Sequence, residues 1–190
     1  MLRMMVRLLV GGMTLLLCAC GSASTSVDAP AQDIRQPAYH IALHIPAGWI
    51  VLQQHTQPDA GTPYTLIIGR YNVAPGATNS SLNFQVVKAS SPGIAQFVAG
   101  LPHNTQYQRT QINGRVAYMS PSQTYFVAPP TPSAGGPPPV ATPGAPGTLT
   151  HIDYALPTTT YLYSWYTEAV AGDNAAADLA AMSHSVQVLP

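Results

Sequence analysis

Charged side chains are scarce in this 190-residue chain: Asp, Glu, Lys and Arg make up 7% of it, against about 25% in ordinary globular domains. Seven basic and seven acidic residues give a formal net charge of +0. Nucleic-acid binding needs a basic surface that displaces counterions from phosphates, so we expect no nucleic-acid partner. The composition also argues against a coiled coil and against a disordered charged tail.

Cysteine is also scarce: the chain has two, Cys18 and Cys20. They follow two arginines, Arg3 and Arg7, and an apolar run over 8–17. This order of basic, apolar and small residues is typical of a secretory signal peptide. The apolar run is too short for a membrane-spanning helix, which needs about 20 residues.

The end of this segment, Leu17-Cys18-Ala19-Cys20, resembles a bacterial lipobox. The resemblance implies a lipoprotein signal peptide over 1–19 and lipidation of Cys20 as the first mature residue. The alternative is an ordinary cleaved signal with two incidental cysteines. A lipidated Cys20 leaves no thiol for a disulfide, a nucleophile or a metal site.

Several acyl chains on one cysteine hold a protein firmly to a membrane. We therefore expect the mature chain to be anchored by lipid to the cell membrane or outer membrane, facing outside the cytoplasm. Gly21 follows the cysteine, and the absence of Asp there resembles the signal for outer-membrane export in a host with two membranes. Arg3 and Arg7 leave with the signal, so the mature chain is slightly acidic.

Composition divides the mature chain into a tether, a domain and a loop. Residues 20–38 are rich in Ser, Ala and Pro without apolar periodicity, and they predict a flexible tether. Residues 39–190 predict a single domain. Within it, residues 129–147 carry eight prolines and four glycines and predict an exposed disordered loop. This insertion is interpreted as passive, with a Pro-rich ligand for a partner as the alternative.

Alternating apolar residues predict strands through most of the domain. Helices are predicted near 93–101, where an apolar stripe recurs at helical spacing, and after Asp173. Asn113-Gly114 between two extended runs predicts a type I′ hairpin. Strands punctuated by helices, without regular βαβ alternation, indicate an α+β fold with an antiparallel sheet flanked by helices.

Two stretches, AYHIALHIPAGWIV (38–51) and DLAAMSHSVQVL (178–189), resemble the opening and the close of PsbP-like domains. The resemblance implies an α/β/α sandwich around a twisted antiparallel sheet. It also implies a binding or assembly module without catalysis, which has lipoprotein forms in bacteria. The Pro-rich loop departs from that pattern.

Histidines offer the few candidates for catalysis or metal binding. On one strand face His151 and Asp153 would lie about 6.6 Å apart, as the base and the orienting acid of a hydrolase triad. No G-x-S-x-G nucleophile motif accompanies them, so the preferred interpretation is a polar strand edge. His40 and His44 on a strand would be about 13 Å apart, too far to share a metal ion. No catalytic residue, metal site or cofactor is predicted.

Aromatic residues supply the remaining candidate site. Tyr161, Tyr163 and Trp165 share one face of a predicted strand, with Tyr154 on its partner. Such a face could stack on a sugar, a peptide or a partner protein. The alternative, preferred for most of these residues, is packing in the core.

The leading hypothesis is a membrane-anchored extracytoplasmic lipoprotein that binds a ligand or partner, or assists assembly, without catalysis. One alternative is an extracytoplasmic hydrolase that uses His151 and Asp153. Another is a surface structural or adhesive protein that uses loop 129–147.

Overall fold

The computed structural model describes residues 29–71, 79–126 and 147–190. These ranges hold eleven strands and two α-helices. In chain order the elements are β1 Gln32–Gln36, β2 Ile41–Ile45, β3 Trp49–Thr56, β4 Tyr64–Arg70, β5 Ser81–Lys88, α1 Ile94–Gly100, β6 Gln108–Ile112, β7 Arg115–Met119, β8 Gln123–Phe126, β9 Thr148–Pro157, β10 Tyr161–Val170, α2 Ala175–Ser185 and β11 Gln187–Val188.

Two antiparallel sheets organise the chain. The larger has eight strands in the order β3-β4-β5-β10-β9-β7-β6, with β8 paired to β9 beside β7. The smaller has the order β1-β2-β11. The predicted α+β class with a mostly antiparallel sheet and helices is therefore confirmed.

Strand β10 lies between β5 and β9, and its side chains alternate between two faces. Tyr163 and Trp165 enter the main core, together with Leu179 and Met182 of α2 and the apolar residues of β2. Leu162 points the other way, into a smaller cluster where α1 packs. One helix therefore lies on each face of the large sheet, which gives the layered sandwich.

The Asn113-Gly114 hairpin has positive φ at both residues, 48° and 75°, as its sequence predicts. The structure adds a contact that the sequence does not show. The Asn113 side-chain amide donates to the backbone carbonyls of Val186 at 2.6 Å and His184 at 3.1 Å. The turn between β6 and β7 is thereby fixed to the end of α2.

The tether prediction for residues 20–38 is wrong in its second half. Strand β1 pairs along its whole length with β2, from Gln32 opposite Ile45 to Gln36 opposite Ile41. Ile34 packs against the main core, while the side chains on either side of it are exposed. A single apolar residue among polar ones gives little strand signal, and the free edge of β2 supplies the hydrogen bonds. The domain thus begins before residue 39.

Other predicted segments lie outside the described residues. They are the signal peptide over 1–19, the lipidated Cys20, and residues 129–146 of the Pro-rich loop. Their predictions stay predictions. Within the ranges that are described, no helix is long and apolar enough to cross a membrane.

Two buried tyrosines allow a test of how much a buried hydrogen bond contributes to stability. The Tyr163 hydroxyl donates to the backbone carbonyl of Tyr39 at 3.0 Å. The Tyr64 hydroxyl is equally buried and has no hydrogen-bond partner among the described residues. We expect Tyr163→Phe to lower the free energy of unfolding by about 1 kcal/mol, because it removes a satisfied hydrogen bond. Tyr64→Phe should leave that free energy unchanged or raise it, and urea unfolding at pH 7 measures both.

The same pair predicts how stability changes at alkaline pH. Burial, aided by a neighbouring tyrosine in each case, raises the pKa of Tyr64 and of Tyr163 to about 12 from the ordinary 10.0. Both phenols are protonated in the folded and unfolded chain below pH 10, so their ionisation does not affect stability there. The free energy of unfolding falls between pH 10 and 12, where only the unfolded chain releases the protons. Each Phe variant should flatten this decline, and an unchanged slope would contradict the assignment.

Candidate functional site

An open groove of about 420 Å³ lies on the face of the large sheet that α1 only partly covers. Its floor is formed by polar and apolar side chains of three adjacent strands, and α1 and the segment before β6 form its wall. The polar floor residues are Asn83, Gln85, Asp153, Ser164 and Tyr166, and the aromatic wall residues are Phe97 and Tyr107.

The groove exists because α1 is short. Its seven residues span about 10 Å, whereas the ten residues of β10 span about 33 Å. Helix residues Ile94 and Val98 cover the end of β10 at Leu162. Beyond that point the same face carries Ser164 and Tyr166, whose polar groups suit an uncovered surface.

Aromatic rings line two sides of the groove. Phe97 and Tyr107 meet at a near-right angle, with ring centroids 6.1 Å apart and an interplanar angle of 84°. On the floor, Tyr166 stacks on the His151 ring at 5.0 Å. The Tyr125 ring touches His151 edge-on at 5.8 Å, so His151 is enclosed by two tyrosines.

His151 sits between two carboxylates next to the groove. Its Nε2 lies 3.1 Å from Asp153 Oδ1, and its Nδ1 lies 3.5 Å from Glu168 Oε1. The structure therefore brings together the predicted pair, His151 and Asp153. In a hydrolytic triad the second ring nitrogen faces a nucleophilic hydroxyl. Here it faces Glu168, which lies directly opposite His151 in the pairing of β10 with β9.

The Asp153 carboxylate also helps to raise the pKa of two groove tyrosines, Tyr107 and Tyr166. Burial raises the pKa of Tyr107, and Asp153 raises it further. Burial is likewise the main cause of the raised pKa of Tyr166, followed by Glu168 and then Asp153. Both tyrosines therefore stay protonated at neutral pH and keep their hydroxyl hydrogens as donors.

The aromatic residues proposed from sequence as a binding platform lie mainly in the core. Tyr163, Trp165 and Tyr154 are only 1%, 2% and 5% exposed. Trp165 stacks on Phe84 at 5.7 Å and on Tyr154 at 5.1 Å. This corrects the surface-platform prediction for these three and agrees with the core alternative. Tyr161 is the one half-buried member of the four.

Most of the groove residues are not singled out from the sequence, among them Tyr166 on the opposite face of the same strand. A signal for it was present: Ser164, Tyr166 and Glu168 alternate as polar residues, and Asp153 and His151 do the same on the neighbouring strand. Polar alternation on two paired strands marks a sheet face that no apolar layer covers.

His40 and His44 have separate partners. His40 Nδ1 lies 3.0 Å from the backbone carbonyl oxygen of Pro190, and His44 Nδ1 lies 2.7 Å from Asp33 Oδ1. Across the described ranges, no group of three or more His, Cys, Asp or Glu side chains is arranged to hold a metal ion.

Among the comparisons with known proteins, the comparison with solved structures finds similar chains. No protein-family model and no curated protein sequence matches it. A crystal structure from Bacteroides thetaiotaomicron VPI-5482 is similar, with a TM-score of 0.52 and 10% identity, over 85% of this chain and 49% of that one. The chain thus spans about half the length of that protein. At this identity the likeness shows the fold alone.

A second similar structure is the solution structure of cyanobacterial PsbP (CyanoP) from Synechocystis sp. PCC 6803. The TM-score is 0.47 at 13% identity, over 90% of this chain and 98% of that one. A cyanobacterial PsbP is thus among the structures that this chain is similar to.

Proposed function

We propose that this protein is a lipid-anchored extracytoplasmic binding protein whose groove beside α1 takes up a ligand without transforming it. The observation that carries the binding role is the groove itself. It combines aromatic walls with a floor of amide, hydroxyl and carboxylate groups, which is the mixture of apolar surface and a few polar groups typical of ligand sites.

The anchor is supported by the signal-like segment and by the short distance from Cys20 to the domain. Strand β1 begins at Gln32, so eleven residues separate it from Cys20. Eleven residues span at most about 36–40 Å, even when fully extended. A lipidated Cys20 would therefore keep the domain close to the membrane surface.

The contacts of His151 support binding over hydrolysis. A general base must have a ring nitrogen within reach of the proton that it removes. Asp153 and Glu168 face the two ring nitrogens, and Tyr166 covers one face of the ring. Because its side chain is only 17% exposed, His151 is better placed to hold Asp153 and Tyr166 in position than to activate a nucleophile.

The anchor is tested by Cys20→Ser. We expect this variant to lose membrane partitioning, because it removes the sulfur that would carry lipid. The measurement is fractionation of cells that express the wild type or the variant, with Cys18→Ser as the matched control that should still partition. Membrane retention of the Cys20 variant would contradict the lipoprotein assignment.

The groove is tested by thermal shift with a panel of small anions, organic cations and neutral sugars. At least one class should raise the Tm of the purified mature protein, because a ligand that binds only the folded state stabilises it. Gln85→Trp, which fills the groove from an exposed floor position, should lose that shift. Gln53→Trp, an exposed glutamine in β3, should keep it.

Two results would contradict this proposal. One is a panel in which every class leaves the wild-type Tm unchanged, or in which the Gln85 variant responds like the wild type. The other is turnover of an ester, peptide or glycoside that His151→Ala abolishes while the fold stays intact. The second result would favour the hydrolase alternative.

A further inference from the structure

We propose that the groove beside α1 binds an alkylated ammonium group, presented either by a small organic cation or by a lysine side chain of a partner. This inference rests on the proposed binding function, because it names the ligand class of the same groove. It follows from the charge of the floor, the chemistry of the walls and the size of the space.

The floor has negative charge without a basic counterpart. Asp153 lines the groove, and Glu168 lies across His151 from it. With both carboxylates ionised, this group of three keeps a net negative charge whether or not His151 is protonated. The described lining contains no Lys or Arg, and the nearby Arg109 lines a separate depression on the other side of Tyr107. A phosphate or carboxylate ligand would therefore meet like charge.

The walls favour an organic cation over a metal ion. Hard metal ions take several oxygen ligands at short distances, and no such group is assembled among the described side chains. An alkylated ammonium ion instead binds to the faces of aromatic rings. Phe97, Tyr107 and Tyr166 line the groove together with Asp153, so aromatic surface and a carboxylate share one space.

The remaining floor groups suit the polar end of such a ligand. The side-chain amide nitrogen of Asn83 donates to Ser81 Oγ at 2.9 Å. The side-chain oxygen of Asn83 is then left as an acceptor for a ligand. Gln85 and Ser164 add hydrogen-bonding groups on the neighbouring positions. The volume of about 420 Å³ lies within the range of small-molecule sites.

The test compares choline with 3,3-dimethylbutan-1-ol, which has the same shape but a neutral carbon in place of the nitrogen. Both are titrated into the mature lipoprotein in a non-ionic polyoxyethylene detergent, and binding is followed by saturation-transfer NMR on the methyl groups. We expect choline to bind about tenfold more tightly than its neutral counterpart, because the aromatic rings and the carboxylate both attract its positive charge.

Variants separate the contribution of the carboxylate from that of the aromatic rings. Asp153→Asn should weaken choline about tenfold and leave the neutral alcohol unchanged. Phe97→Leu, at a position that is 38% exposed and so tolerant of change, should weaken choline without loss of folding. Asp59→Asn, an exposed aspartate in the turn after β3, is the control and should change neither. If Asp153→Asn proves unstable, the Phe97 variant and the choline-to-alcohol ratio still decide the matter.

A second probe, Nα-acetyl-lysine methylamide, distinguishes the two sources of the cation. Tighter binding of this probe than of choline favours a partner's side chain, and the reverse favours a free cation. Equal affinity of choline and the alcohol would overturn the ligand class. If only a neutral sugar or an anion shifts the Tm, with sensitivity to Gln85→Trp, the ligand class fails and the proposed binding function stands. If nothing shifts the Tm, both fail.

Discussion

Strand β10 lies between β5 and β9 in the middle of the large sheet and carries apolar side chains on both faces, and the rest of the structure depends on covering those side chains. Tyr163 and Trp165 on one face are large aromatic residues, and they are covered by α2 and by the small sheet. Leu162 on the other face is covered by α1. Burial of these side chains removes a large apolar area from water, and it fixes where both helices pack.

The two faces are not covered to the same extent. Helix α2 and the small sheet together close one face, whereas the shorter α1 closes only one end of the other. The polar residues of β5, β9 and β10 lie on the part left open, where water or a ligand can satisfy them. The arrangement of His151 between Asp153 and Glu168 stands on this same open face. The groove is thus a direct result of a helix shorter than the strands it covers.

Local patterns in the sequence predict most of the secondary structure. The strands, the two helices and the Asn113-Gly114 turn followed from alternation, helical spacing and the backbone demands of a tight turn. Alternation places Tyr163 and Tyr166 on opposite faces, but it does not say which face a helix will cover. That depends on packing between residues distant in the chain, and for this reason the sequence leaves both a binding platform and the core open for Tyr161, Tyr163 and Trp165, with the core preferred. Strand β1 was missed because its pairing with β2, rather than its own composition, makes it a strand. The closeness of His151 and Asp153 was predictable from spacing, whereas Glu168 entered through the register of β10 with β9.

The entry of the chain through β1 also sets a path for mechanical force. Strand β1 belongs to the small sheet, and the groove opens on the far face of the large one. If Cys20 is held in a membrane and the groove is occupied, tension between the two runs through the β1–β2 hydrogen bonds and then across the aromatic core. The hydrogen bond from the Gly48 N–H to the Ala29 carbonyl oxygen and the five residue pairs of β1 with β2 would then be the first connections inside the domain to bear that load.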